Sequence, residues 1–376
     1  MLLRRTFLKL TISIALILGV SAIASLKTAR MAEPLPSRLS DEAFRRMVTG
    51  FSEEGGYFRF ENFLSNELAF QQVIPTLKET TKAGGVYLGV GPEQNFTYIT
   101  ALQPKIAFVI DIRRQNMLEH MMYKALFELS NDRADFLSRL YSRKRPGGLN
   151  ADSDPEILFA GYQGVQPDRR LVQENLSSMK EVLTNRKFGL SKEDFDSIEY
   201  VYRVFVEAGP DLDYTIGGFG GGGGSPTYEQ LMTATDKAGH NWSYLASEAN
   251  YRLMRDMEMK NLIVPLVGDF AGPKAIRAVA EYLADHDAKV TAFYLSNVEQ
   301  YLFQDPGQWR RFYRNVSTLP LDSSSTFIRS VNAGAYGRFG GYGMRFQSLL
   351  SPMIDTVRAF DDGRLRYYND VIRMSK

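Results

Sequence analysis

Residues 84–112 read GGVYLGVGPEQNFTYITALQPKIAFVIDI, and this stretch decides the fold. Val86–Val90 is a short apolar run of strand formers between glycines, the pattern of a buried strand. Gly89 and Gly91 sit at its carboxyl end, where the backbone must turn sharply and let a ligand come close. Glu93–Leu102 fits a short helix, and Ile106–Ile110 is a second apolar run that ends in Asp111. The order is β–α–β, with an acid 22 positions after Gly89. In nucleotide-binding α/β units a glycine turn meets the cofactor, and an acid about 20 residues on takes the ribose hydroxyls. The third glycine of the dinucleotide fingerprint is missing, because Asn95 and Phe96 occupy that region. Glu93 and Asn95 therefore join Gly89, Gly91 and Asp111 as candidate cofactor contacts.

Further along, Leu262–Phe270 (LIVPLVGDF) is another buried run with Gly and Asp269 at its end. Lys289–Leu295 is a fourth, followed by Ser296, Asn297, Val298 and Glu299. Asp111, Asp269 and Asn297 thus each fall at the carboxyl end of an expected parallel strand, the edge where open α/β sheets bind ligands. The same residue types also cap the helices that follow strands. The expected architecture is an α/β, Rossmann-like doubly wound, mainly parallel sheet with added helices.

Helical spacing marks Asp41–Thr49, Arg113–Arg145, Trp242–Lys260, Pro273–Asp285 and Ser348–Phe360. Phe327–Val331 reads as a late strand. A helical insertion is expected around 149–210, with helices over Asp168–Leu183 and Lys192–Val206. Gly55–Glu67 (GGYFRFENFLSNE) combines aromatics with amides and carboxylates. Its Asn62, Ser65, Asn66 and Glu67 either touch a ligand or cap a helix over Glu67–Lys78. Five glycines at 220–224 fit a flexible linker or active-site loop.

Composition narrows the function classes. A net charge of +2 offers no global attraction for nucleic acid. The absence of cysteine excludes disulfides, thiolate metal sites and cysteine nucleophiles. His120, His240 and His286 are dispersed, and no H-E-x-x-H or G-x-S-x-G occurs, so no metal site is expected.

Residues 1–30 read as a signal peptide or membrane anchor: Arg4, Arg5 and Lys9 precede 17 uncharged residues, Leu10–Leu26. Arg4-Arg5-Thr6-Phe7-Leu8-Lys9 resembles the core of twin-arginine signals, with Leu3 replacing the usual preceding Ser or Thr. The expected address is periplasmic or membrane-anchored. A start at Met31 would instead give a cytosolic protein.

The G-x-G turn followed by a strand-end acid resembles motif I and the second-strand acid of class I S-adenosylmethionine methyltransferases. With VIDIRRQN, VPLVGDF and YLSNVEQYLF, it is similar to an uncharacterised bacterial family associated with that superfamily. The likeness spans roughly 41–345. It implies that Gly89 and Gly91 admit the amino-acid part of S-adenosyl-L-methionine and that Asp111 holds the ribose. It also implies that Asp269 or Asn297 stands beside the sulfonium, with Asp269 and Glu299 as possible bases. No D/N-P-P-Y motif is present, which disfavours amino methylation of nucleic acid. The implied function is a methyltransferase-like activity, with no substrate named by the sequence. The alternative is an exported, non-catalytic small-molecule-binding or structural envelope protein on the same scaffold.

Overall fold

A computed structural model describes residues 33–214, 225–332 and 346–376. Six strands form one sheet: β1 Val86–Gly89, β2 Ile106–Asp111, β3 Ile263–Val267, β4 Val290–Ser296, β5 Leu321–Asn332 and β6 Phe346–Pro352. Their order is β3-β2-β1-β4-β5-β6. The first five run parallel, and β6 is antiparallel to β5. Every residue of β1, β2 and β3 is buried, as expected for continuous apolar runs covered on both faces.

Helices flank the sheet in two groups. Gln94–Leu102, Arg114–Leu129 and Glu248–Met259 pack together, as do Asp41–Phe51, Ala275–Asp285 and Pro306–Val316. The expected helical insertion contains Pro155–Ala160, Arg169–Asn185 and Lys192–Ala208. The last two pack on Arg114–Leu129 and form a further helical layer. The chain steps outward from β1 to β2 to β3, then returns to β4 on the other side of β1. That reversal opens a crevice at the carboxyl ends of the strands.

Several expected elements differ. The helix over Arg113–Arg145 is two helices, Arg114–Leu129 and Arg133–Leu140, because Asp132 caps the second through Asp135 N–H. Trp242–Lys260 becomes helical only at Glu248, after the Ser247 cap. Glu67–Lys78 is a 3-10 turn, Phe70–Val73, and a short helix, Ile74–Thr80. Phe327–Val331 is the centre of the longer β5. The first half of Ser348–Phe360 is strand, since β5 supplies pairing partners from Thr326↔Pro352 to Asn332↔Phe346; its helix begins at Met353. The readings of residues 1–30 and of Gly220–Gly224 fall outside the described residues. No helix among the described residues is long and apolar enough to cross a membrane.

Candidate ligand site

The glycine turn is built by two different demands. Gly91 has φ +79°, which side chains rarely adopt, although a methyl group there would meet open space. At Gly89 a Cβ would overlap the Asn95 Oδ1. Asn95 is the clamp of the turn. Its Oδ1 accepts from Tyr87 Oη at 2.8 Å. Its Nδ2 faces the carbonyls of Val90, Gly91 and Pro92 at 3.0, 3.2 and 2.7 Å. His120 Nε2 donates to the Gly91 carbonyl at 2.9 Å, which places its proton on that nitrogen. Burial pushes the His120 pKa down to about 4, so the ring is neutral near pH 7.

A cavity of about 350 Å³ runs along the carboxyl edge of the sheet. Gly91 after β1, Asp111 at the end of β2, Asp269 after β3, and Ser296 and Asn297 at β4 all line it. The segment before β1 closes over it and contributes Asn62, Ser65, Asn66 and Glu67. That segment is pinned by Gly56 N–H to the Ile112 carbonyl at 2.8 Å and by Arg113 to the Glu61 carbonyl. Phe58 meets Tyr301 edge to face, with ring centroids 5.3 Å apart.

Eight of the sequence-predicted residues, Asn62, Ser65, Asn66, Glu67, Gly91, Asp111, Asp269 and Asn297, therefore share one cleft. Gly89, Glu93 and Asn95 are not among its lining residues. Glu299 does not join them, which corrects its reading as a base. The helix Val298–Leu302 carries it into a buried ion pair with Arg329, where it also accepts from Tyr313 Oη. Asp269 Oδ1 accepts from Ala271 N–H at 2.9 Å, so it also holds its own turn.

The electrostatics are dominated by burial. Asp111 is raised by desolvation, opposed by the Arg113 charge and by the N–H groups of Arg113 and Gly91. Glu67 is also raised by burial, although Ser296 Oγ, Gln94 Nε2 (3.2 Å) and Tyr294 Oη (2.9 Å) all donate to it. Ser296 and Asn62 adopt φ of 49° and 48°, a left-handed backbone that carries strain of about 1 kcal/mol or more in non-glycine residues. Sequence reasoning marked Glu67 only as a polar contact and missed a buried acid pair near the turn. Glu93 has no side-chain hydrogen-bond partner among the described residues. Burial pushes it up to about 8, partly offset by its own N–H. Glu119 is raised by burial and by the Glu93 charge.

The chain belongs to the family described as a domain of unknown function (DUF7790), which matches residues 62–374. No curated protein matches it.

Proposed function

We propose that the cleft binds S-adenosylmethionine and that the protein is a methyltransferase-type enzyme acting on a small molecule. The observation that carries this reading is the charge of the site. Glu67, Asp111 and Asp269 line the cavity and no Lys or Arg does among the described residues; Arg113, 3.5 Å from Asp111, stands behind the wall. A dinucleotide would bring an anionic pyrophosphate against those carboxylates. S-adenosylmethionine instead carries a sulfonium and an ammonium against one carboxylate, a net positive charge. The volume of about 350 Å³ lies in the range of small-ligand sites.

In this reading Asp111 takes the ribose hydroxyls and Gly91 admits the amino-acid part. The strand order then separates the remaining groups. Asp269 lies beyond β3, and Ser296, Asn297 and Glu67 lie near β4. With the nucleobase on the first side and the reacting methyl on the second, Asn297 rather than Asp269 stands beside the sulfonium, and Asp269 is not the base. The bound cofactor supplies an electrophilic methyl group. The protein's contribution is to hold an acceptor in line with it.

Thermal unfolding with S-adenosylmethionine, S-adenosylhomocysteine and NAD tests the proposal. Ligand at about 100 times its Kd adds about 2.7 kcal/mol of stability. Stabilisation by the first two, lost in Asp111→Asn, supports it; no shift with either sinks it. The Arg4-Arg5 run favours a second reading, an exported protein that binds a small molecule without turnover. Fusing residues 1–40 to a reporter active only outside the cytoplasm tests export. A silent reporter, unaffected by Arg4→Lys and Arg5→Lys, removes it.

A further inference from the structure

We propose that the β4 end of the cleft is a cation subsite, in which the Glu67 carboxylate and the rim rings of Tyr57, Phe58 and Tyr301 hold an amine or quaternary ammonium group. The identity of that group as a methyl acceptor rests on the function proposed above. The chemistry of the subsite rests on its own residues.

Glu67 is buried and makes no ion pair among the described residues. The groups that orient it, Tyr294, Ser296 and Gln94, are neutral donors. Tyr87 on β1 and Tyr98 on the helix Gln94–Leu102 interact with its charge, but burial pushes both phenols above their ordinary range, so they also remain neutral. Ser330 on β5 is a further neutral neighbour. A carboxylate taken out of water without a countercharge is unfavourable, and a cation entering the adjoining cavity relieves that cost.

Aromatic rings line the same cavity. Tyr57 is 85% exposed, and Phe58 and Tyr301 are half-buried in mutual edge-to-face contact. Aromatic faces with a carboxylate behind them form the chemistry that recognises ammonium groups. An anionic ligand would instead meet Glu67 and Asp269, with Asp111 already paired to Arg113 at 3.5 Å. A primary or secondary amine arriving as ammonium can pass its N–H proton to a Glu67 carboxylate oxygen. The N–H bond breaks, an O–H bond forms, and the electron pair stays on nitrogen as a nucleophile.

Choline and 3,3-dimethylbutan-1-ol have nearly the same shape and differ in charge. Calorimetric titration of each into protein saturated with S-adenosylhomocysteine tests the subsite. Choline is expected to bind about tenfold or more tightly than the alcohol. Glu67→Gln should erase that preference without changing the melting temperature of the free protein by more than a few degrees. Tyr57→Ala, at an exposed position, should weaken choline several-fold and supplies the test if Glu67→Gln does not fold. Equal binding of the two probes, binding of neither, or a preference that survives both substitutions overturns the proposal. If S-adenosylhomocysteine itself fails to bind, the methyltransferase reading falls, and the same comparison on the protein alone still decides the subsite.

Discussion

Replacing Glu93 by Gln should stabilise the protein at neutral and alkaline pH and flatten its pH profile. Glu93 stands at the start of the helix Gln94–Leu102, fully buried, with neither carboxyl oxygen partnered among the described residues. Burial raises its pKa from 4.5 to about 8 in the folded state. In the unfolded chain it titrates near its ordinary value, so between the two values the folded state holds a proton that the unfolded state has lost. Stability is therefore full below about pH 4.5 and falls as pH rises toward about 8. At about 1.4 kcal/mol per pKa unit, the loss is roughly 4–5 kcal/mol. Gln has nearly the same shape and no charge, so it removes this loss. Glu119 is raised by its own burial in both proteins; the part of its shift that comes from the Glu93 charge disappears with the substitution and adds to the difference. Urea unfolding at about pH 5, 7 and 9 measures the difference, which should be small at the first and reach several kcal/mol at the last. Parallel profiles for the two proteins would refute the reasoning. They would mean that Glu93 is ionised when folded and has a compensating partner.

The two glycines of the turn should respond in a fixed order. Gly91→Ala imposes a left-handed backbone on a side chain that has room, at a cost of about 1–2 kcal/mol. Gly89→Ala must displace the Asn95 clamp and should cost more, as read by chemical denaturation. Asn95→Ala frees the Val90–Pro92 carbonyls and strands the Tyr87 hydroxyl; it should cost about 2–3 kcal/mol and abolish any shift with S-adenosylhomocysteine. Glu299→Gln leaves the Arg329 guanidinium buried without its countercharge and should destabilise by about 3–5 kcal/mol, while ligand affinity in the folded fraction stays intact. Loss of binding with unchanged stability would return Glu299 to the cleft.

The sheet was legible because β1 to β4 are short apolar runs closed by Gly, Asp or Ser, a local signal. β6 was not, since FQSLLSP has helix-compatible letters and becomes strand through pairing with β5. Gly91, Asp111, Asp269 and Asn297 were legible for the same local reason: a strand end fixes where its last residue stands. Glu299 was misread because it lies only two positions beyond Asn297, and the intervening start of a helix turns it to a different surrounding. The burial of Glu93 had no one-dimensional signature. Eight of the nine residues in the helix Gln94–Leu102 are buried, so that helix shows no polar stripe against which a buried acid would stand out.

The charge of the cleft was the least legible property and carries the most weight. The whole chain is nearly neutral at +2, with 45 basic and 43 acidic residues. Glu67, Asp111 and Asp269 come from segments far apart in sequence, and although two of them read as strand-end site residues, nothing local shows that the three share one wall. Only the strand order brings them to one wall with no lining Lys or Arg among the described residues. A glycine turn and a strand-end acid are shared by sites for many nucleotides. Preference for a cationic over an anionic ligand is instead a sum over residues that the fold assembles, so changing one of those carboxylates should move ligand choice more than it moves the fold.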